Sequence, residues 1–295
     1  MVLISEIIIV PLHPEFFRVS RNMSQDLVSV IMPTFNAGRF LSSSIDSILA
    51  QTYTNLELII SDDGSTDPQT ISTLKHYAEK DERVKVKFLG KNHGPGFARN
   101  EAIERAQGRY IAFCDSDDRW FPDKLEKQLA LMLARDCALV CSSYIICDDD
   151  DKETGINYAP PRISFQMLKR DNKIGCSTAM YDTKALGQKF FMPNLRKRQD
   201  WGLFLTIIQK CRMAYGIEYP LAYYRNRKKS VSSNKFSLVK YNIRVYEKVL
   251  GFPKLKAYLY FLFLFLPTYY IKVQKRNMDS KHYLEKKHSI NTINE

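Results

Sequence analysis

The sequence predicts an α/β fold: a single nucleotide-binding domain with a mixed, mainly parallel central sheet flanked by helices, plus a hydrophobic and basic C-terminal tail that associates with a membrane. Three observations predict it. Apolar runs rich in β-branched residues alternate with segments of helical period, which is the pattern of βαβ units. Each run ends in polar or acidic residues. Residues 257–271 carry no charge and lie between lysines and arginines.

Composition restricts the class of protein before any motif is considered. The 295 residues are 45% hydrophobic, which is sufficient for one large or two small domains with a real core. The formal net charge of +12 predicts an anionic partner, for which nucleic acid, anionic lipid and diphosphate substrates all qualify. The six cysteines form no CxxC pair and no Cys/His cluster with zinc spacing, so buried reduced thiols are expected.

Residues 1–26 are expected to be an N-terminal extension that precedes the folded domain at 27–235. The apolar start of the chain contains Glu6 and lacks a basic n-region and a convincing cleavage site, which argues against a signal peptide. Met23 is a candidate for the natural start.

The first two strands are expected to end at one crevice, because ligands of open α/β sheets lie outside the carboxyl ends of the strands. The first strand ends in Pro33, Thr34 and Asn36, and an amphipathic helix follows it. The second strand ends in Asp62 and Asp63. The residues alone leave two interpretations open for these side chains, namely contacts to a ligand or satisfaction of turn backbone groups.

A glycine-containing loop follows the third predicted strand, at 84–88. The segment NHGPGFARN has Gly94 and Gly96 before a helix but lacks the third glycine of a dinucleotide-binding fingerprint. A Rossmann dehydrogenase is therefore disfavoured. Arg99 lies in the first turn of that helix and either binds a phosphate or is a solvated helix residue.

The strand YIAFC delivers Asp115, Ser116, Asp117 and Asp118 to the same crevice. Three carboxylates within four residues repel one another unless a cation is present. Oxygen ligands without histidine or cysteine indicate Mg²⁺ or Mn²⁺ that shares its remaining sites with phosphate oxygens and water. A second acidic run at 148–151 is expected to be a solvated loop without chemistry.

The second half of the domain offers fewer candidates. Residues 175–181 are expected to form a strand that faces the crevice, and Asp200 begins a helix whose buried side includes Trp201. As a helix cap, Asp200 would contribute about 1 kcal/mol. The segment YYRNRKKSVSS is either a mobile lid over a diphosphate or a solvated basic loop, and its candidate residues are Arg225, Arg227, Ser230 and Ser232.

Taken in order, VSVIMPTFN, ELIISDDGSTD, NHGPGFARN, the DSDD run and the YR…SxS segment resemble the inverting nucleotide-sugar glycosyltransferases of family 2. The resemblance covers roughly residues 27–235. It implies a donor-nucleotide half at 27–147 and an acceptor half at 148–235.

The resemblance also implies roles for individual residues. Asp63 would accept a hydrogen bond from the imide nitrogen of uracil. DSDD would be a DxD-type motif in which Asp118 is the direct metal ligand and Asp117 lies by the ribose and the metal. Asp200 would be the general base, with Gln199 in place of the usual glutamate. The donor-binding set would comprise Pro33, Thr34, Asn36, Asp63, Arg99 and Asp117.

The function implied by the resemblance is transfer of a hexose, with glucose or galactose favoured, from a UDP-sugar to a lipid-diphosphate-linked sugar. Undecaprenyl-diphosphate GlcNAc or GalNAc is the favoured acceptor, and the product would be β-linked, in O-antigen or capsule assembly. No nucleic-acid partner is expected. The alternatives are a transferase with another donor and acceptor, or a nonenzymatic basic module that binds membrane or nucleic acid.

The C-terminal segment 236–295 is expected to be helical and to associate with an anionic membrane surface. A helix over 257–271 would span roughly 22 Å at about 1.5 Å per residue, short of the roughly 30 Å of a bilayer core, and Pro267 would interrupt it. A hydrophobic hairpin or interfacial helix is favoured over a buried core helix, because lysines and tyrosines flank the segment. The expected location is the cytoplasmic face of the bacterial inner membrane, peripheral or monotopic.

Overall fold

The computed structural model of the protein describes residues 26–227 and 235–293. Within these ranges the strands are β1 Val28–Thr34, β2 Leu56–Asp62, β3 Val84–Phe88, β4 Tyr110–Phe113, β5 Arg119–Trp120, β6 Leu139–Cys147, β7 Glu153–Asn157, β8 Arg162–Ser164, β9 Met180–Asp182 and β10 Met213–Arg225. The helices are α1 Leu41–Leu49, α2 Pro68–Lys80, α3 Pro95–Arg105, α4 Lys124–Arg135, α5 Phe165–Arg170, α6 Thr183–Leu186, α7 Gln199–Cys211, α8 Lys235–Lys248, α9 Lys254–Tyr260 and α10 Leu266–Ile293.

The described strands form one mixed sheet in the order β3-β2-β1-β4-β9-β6-β10-β5, with β7 beside β6 and β8 beside β10. The block β3-β2-β1-β4 is parallel, as predicted. The expectation of a mainly parallel sheet is wrong beyond that block. There β6 and β10 are parallel, whereas β5, β7, β8 and β9 pair antiparallel with their neighbours. These four antiparallel strands have only two to five residues each. Short connections join antiparallel neighbours, whereas parallel strands need a long crossover.

Helices cover both faces of this sheet. All residues of β1 and β2 are buried, as expected for central parallel strands. One apolar cluster joins one face to α1, α2 and α4, and a second joins the other face to α3, α7, α8 and the C-terminal helices. The carboxyl ends of β1, β2 and β4 therefore open at one edge of a three-layer core.

Local sequence explains where the helices beside this edge begin. The Asp67 side chain accepts a hydrogen bond from the Thr70 backbone N–H at 2.9 Å, and Pro68 occupies the first position of α2. Helix α3 begins after Gly94, which has φ of 97°. A side chain is strained in that conformation, which accounts for the glycine.

The segment 175–181 does not form the predicted strand. Residues Cys176–Thr178 make a 3₁₀ turn, and β9 begins only at Met180. The turn places Ser177 next to the loop that follows β4, where its hydroxyl accepts from the Asp115 backbone N–H and donates to the Asp118 carboxylate.

The C-terminal helices run on from one another instead of forming a hairpin. A π-helical turn, Phe261–Phe265, joins α9 to α10 and directly precedes Pro267, which cannot donate a backbone hydrogen bond. The far part of α10 packs on β7, where Ser280 Oγ bonds the Ile156 backbone and Tyr283 donates to Glu153. Along residues 26–227 and 235–293, no helix is both long enough and apolar enough to span a bilayer.

Candidate active site

The acidic loop after β4 holds its first carboxylate in an ion pair. Arg99 Nη2 lies 2.5 Å from Asp115 Oδ1, and the Arg99 residue is 7% exposed. Burial lowers the pKa of Arg99, but the attraction of Asp115 outweighs it, so the pKa is raised overall. The Asp115 backbone N–H donates to Ser177 Oγ at 3.1 Å. Arg99 therefore faces the crevice as a permanent cation already paired with the loop.

Asp117 and Asp118 are adjacent but differ in environment. Asp118 is 1% exposed, and its two carboxylate oxygens accept hydrogen bonds from the Ser177 hydroxyl and, at 2.9 Å, from the Arg225 backbone N–H. The Asp117 side chain is 26% exposed, and its Oδ2 lies 3.4 Å from Arg227 Nη1. Both Asp118 oxygens thus accept hydrogen bonds that hold the loop, and each retains a second lone pair for a further ligand.

The charges of this loop favour a cation. Burial, then the charges of Asp117 and Asp115, raises the pKa of Asp118 well above its ordinary range. Burial and Asp115 likewise raise the pKa of Asp117, against the lowering effect of Arg227. In the part of the chain that the structure describes, no three acidic, histidine or cysteine side chains cluster as a complete metal site. Mg²⁺ at phosphate sites commonly takes one or two carboxylates, and the partly exposed Asp115 and Asp117 fit that number.

Asp63 joins the end of β2 to the glycine loop. Its Oδ1 accepts from the His93 backbone N–H at 2.8 Å, and its Oδ2 accepts from the Gly94 N–H at 2.7 Å. The loop comes so close that a Cβ added to Gly64, where φ is 79°, would lie 2.7 Å from the Lys91 backbone. Each Asp63 oxygen retains a second lone pair for a further donor.

The end of β1 combines a turn residue with a buried hydroxyl. Asn36 has φ of 46°, and its Oδ1 accepts from the backbone N–H groups of Thr66 and Asp67 at 2.9 and 3.0 Å. Pro33 and Thr34 are buried in β1. Thr34 Oγ1 is buried and has no hydrogen-bond partner in the described chain. Of these three residues, Thr34 presents a polar atom that a ligand would satisfy, whereas the Asn36 side chain already holds the turn.

Asp200 lies in the first turn of α7. The N-cap position belongs to Arg198, with φ of 66°, so Asp200 is not the cap residue. Its Oδ2 accepts from Asn172 Nδ2 at 2.9 Å. Its charge acts on Arg99, Tyr144 and Cys176, which places it on the side of the molecule that holds the acidic loop.

Gln199, which departs from the family pattern, is buried beside α3. Its Nε2 donates to the Arg196 carbonyl at 2.9 Å. A Cβ added to Gly96 would lie 3.0 Å from Gln199 Cγ. The residue therefore joins the starts of α3 and α7.

A chain of contacts brings the predicted carboxylates to one region. Asp63 binds the start of α3, and Arg99 of the same helix forms an ion pair with Asp115. The charge of Asp200 also acts on Arg99. Ser177 then connects Asp115 to Asp118. Sequence reasoning missed Ser177, because nothing marks a serine in an apolar stretch as the partner of an aspartate 59 residues away.

Arg225 is a buried clamp, at a position for which the sequence leaves a mobile lid and a solvated basic loop open. Its side chain is 1% exposed and donates to the Asp117 carbonyl at 3.1 Å, the Asp148 carbonyl at 2.7 Å and Asp151 Oδ1 at 2.5 Å. Asp151 also pairs with Arg119 at 2.7 Å. The acidic run at 148–151 is thus an exposed loop, as predicted, in which Asp151 also pairs with both arginines.

Arg227, two residues after Arg225, is a partly exposed basic residue beside the acidic loop. Its side chain is 35% exposed, contacts Asp117 and lies 5.1 Å from the Phe40 ring centre. Ser230 and Ser232, the other predicted lid residues, lie outside the described ranges.

The parallel strand ends and the acidic loop meet at the edge where open α/β sheets bind ligands, the arrangement of an α/β enzyme. The family model for glycosyl transferase family 2 matches residues 29–192, and the chain belongs to that family. It is an enzyme, a glycosyltransferase, so a nonenzymatic module is not retained.

Three known proteins illustrate the similarity. The chain is 41% identical to the putative teichuronic acid biosynthesis glycosyltransferase TuaG of Bacillus subtilis over 232 residues, covering 78% of this chain and 91% of TuaG. It is 36% identical over 219 residues to the Escherichia coli UDP-Glc:alpha-D-GlcNAc-diphosphoundecaprenol beta-1,3-glucosyltransferase WfgD, covering 74% and 84%. The crystal structure of residues 1–349 of S. aureus TarS with UDP-GlcNAc matches with a TM-score of 0.62 at 20% identity, covering 78% and 69%. That last likeness shows the fold alone.

Proposed function

We propose that the protein is an inverting enzyme that transfers a hexose, glucose or galactose, from a UDP-sugar to a lipid-diphosphate-linked sugar. The acceptor is undecaprenyl-diphosphate GlcNAc or GalNAc, and the β-linked product enters O-antigen or capsule repeat units. The observation that carries the proposal is the set of contacts that joins Asp63, Arg99 and the acidic loop, together with the charge interaction between Arg99 and Asp200. The name of WfgD supports the choice of donor and acceptor.

The uridine of the donor lies at the ends of β1 and β2. The free lone pairs of Asp63 accept from the imide N–H of uracil, whereas adenine and cytosine present an acceptor at the corresponding ring nitrogen. Thr34 supports this placement through its unpartnered hydroxyl, and Pro33 and Asn36 shape the strand end. Arg99 pairs with Asp115, and we place both beside the phosphates of the donor.

The acidic loop fits one divalent cation, Mg²⁺ or Mn²⁺. We assign the direct contacts to Asp118 and Asp117, as the resemblance implies, because Asp117 is partly exposed and each Asp118 oxygen retains a lone pair. A divalent ion held there would neutralise charge that develops on the departing UDP. Asp118 holds the loop through Ser177 and Arg225, and Arg227 adds a positive charge beside Asp117.

Asp200 acts as the general base. An ionised carboxylate takes the proton of the acceptor hydroxyl as that oxygen attacks the anomeric carbon from the side opposite UDP. Attack from that side inverts the configuration, so an α-linked donor gives a β-linked product.

The C-terminal helices supply the surface that meets the membrane. Phe261 and Phe265 are buried, and the Phe265 and Trp201 ring centres lie 5.6 Å apart, directly behind the helix of Asp200. The opposite face exposes large apolar side chains, with Phe263 66% exposed. These are Leu255, Tyr258, Leu259, Leu262, Phe263, Leu266, Tyr270 and Ile271. With flanking lysines, this face suits an anionic bilayer, for which we propose the cytoplasmic face of the bacterial inner membrane.

One experiment tests the activity. Purified protein is incubated with Mn²⁺, a synthetic lipid-diphosphate GlcNAc or GalNAc and a panel of UDP-sugars, and the product linkage is read by NMR. A β-linked hexose from UDP-glucose or UDP-galactose is expected. An α-linked product, or transfer only from a non-uridine donor, would overturn the proposal.

A further inference from the structure

We infer that Asn172 and Lys272 are positioning residues for Asp200. Asn172 orients the carboxylate, and Lys272 fixes the loop that carries Asn172 from a helix far along the chain. The inference rests on the proposed role of Asp200 as the base.

The orientation of the Asn172 amide is determined by two hydrogen bonds. The Ile174 backbone N–H donates to Asn172 Oδ1 at 3.1 Å, and Asn172 Nδ2 donates to Asp200 Oδ2 at 2.9 Å. Since the amide oxygen must face Ile174, the NH₂ group faces Asp200. Among residues 26–227 and 235–293, no group donates to Asp200 Oδ1, which leaves that oxygen for the acceptor hydroxyl.

Lys272 of α10 fastens the Asn172 loop at two points. Its Nζ lies 2.5 Å from the Asn172 carbonyl oxygen and 2.9 Å from Asp171 Oδ2. Asp171 is 3% exposed and also pairs with Lys173 at 3.1 Å. Buried, charge-assisted contacts of this kind resist displacement by water.

The same segment connects the base to the acidic loop. Trp201, next to Asp200 in α7, donates from Nε1 to the Leu168 carbonyl at 2.8 Å. Ten residues after Leu168 the segment ends in the 3₁₀ turn, whose Ser177 holds Asp118. A shift of this segment would therefore move the base relative to the loop.

The hydrogen bond also affects the protonation state of the base. The groups that act electrostatically on or contact Asp200 are Arg99 of α3, Tyr144 of β6, Cys176 of the 3₁₀ turn and Asn172. A hydrogen bond donated to a carboxylate favours its ionised form. Because the base must be ionised, loss of the Asn172 donor moves the acid limb of the pH–rate profile to higher pH.

The test compares Asn172→Ala, Asn172→Asp and Lys272→Met in the full chain. For Asn172→Ala we expect kcat to fall about tenfold, with the acid limb shifted up by about one pH unit and the UDP affinity unchanged. Asn172→Asp keeps the size and the acceptor for Ile174 but sets a second carboxylate against Asp200, so its shift is larger. Lys272→Met has a smaller effect in the same direction.

A double-mutant cycle separates positioning from general structural damage. If Lys272 acts through Asn172, adding Lys272→Met to Asn172→Ala changes kcat little further. Additive losses would overturn the role of Lys272. The exposed Asn277→Ala and Lys286→Met on α10 are matched controls with wild-type kinetics expected.

The variant Asp200→Asn distinguishes this inference from the proposed function. If Asp200→Asn is inactive while Asn172→Ala has wild-type kcat and an unmoved acid limb, the positioning inference is overturned and the base assignment stands. If Asp200→Asn transfers sugar at the wild-type rate, the base assignment itself is wrong.

Discussion

Lys124 is a buried cation whose replacement should make the protein more stable at neutral pH. It is fully buried at the start of α4, with Nζ 2.6 Å from Gln128 Oε1 and 3.8 Å from the Trp120 ring centre. Burial lowers the pKa of Lys124 from 10.5 to about 7. Between those values the unfolded chain binds a proton that the folded chain does not, so stability rises with pH.

The lowered pKa of Lys124 determines how much its replacement changes the free energy of unfolding. At 1.36 kcal/mol per unit, a pKa of about 7 in place of 10.5 corresponds to a cost of about 5 kcal/mol at and below pH 7. Lys124→Met removes that cost but leaves Gln128 without its donor, which costs about 1–3 kcal/mol. The free energy of unfolding at pH 7 should therefore increase by about 2 kcal/mol or more.

Urea unfolding at pH 7 and pH 8.5 measures the effect as the difference between the wild type and Lys124→Met, because the thiols contribute equally to both proteins. The wild type should gain about 2 kcal/mol over this interval from Lys124, and Lys124→Met should lack that gain. The control is Lys127→Met on the same helix, whose side chain is partly exposed and pairs with Asp123. Equal pH slopes for wild type and Lys124→Met would show that burial does not lower the pKa of Lys124.

Three further predictions concern the clamp, the cation and the membrane face. Arg225→Met should lower the free energy of unfolding by about 3 kcal/mol in urea titrations, because it leaves buried partners unpaired. Arg227→Met should lower the rate of sugar transfer with little change in stability. The reverse pattern would contradict the assignments. EDTA should stop transfer and Mn²⁺ should restore it, and full activity in EDTA would rule out the cation. The double variant Leu262→Glu with Phe263→Glu should no longer sediment with phosphatidylglycerol vesicles but should still transfer sugar to a water-soluble acceptor. Lys286→Met is the control. Retained vesicle binding by the double variant would exclude this face as the membrane-binding surface.

The parallel half of the fold follows from local sequence signals. The strand ends at Thr34 and Asp62, the cap at Asp67 and the helix after Gly94 all lie where pattern and turn chemistry predict them. Each of these features depends on residues within a few positions of one another, which a single sequence displays.

The features that the sequence did not reveal share a different origin, namely partners that are distant along the chain. The Arg225 side chain is a clamp because Asp151, 74 residues earlier, meets it, and Asp118 is engaged by the Arg225 backbone 107 residues later. A basic run read alone resembles a lid, and an acidic run resembles a solvated loop. Only the sheet order, with β6 beside β10, brings Arg225 of the basic run to Asp151 of the acidic run.

Separate carboxylates of one crevice are proposed to hold the metal-bound nucleotide and to take the acceptor proton. A comparison of Asp117→Asn with Asp200→Asn tests this directly. UDP affinity with and without Mn²⁺ is measured by calorimetry, beside transfer to the lipid-diphosphate sugar. We expect Asp200→Asn to bind UDP like the wild type but to transfer at least about 100-fold more slowly. We expect Asp117→Asn to lose the Mn²⁺-dependent part of the affinity. Wild-type transfer by Asp200→Asn, or undiminished Mn²⁺-dependent binding by Asp117→Asn, would contradict these roles.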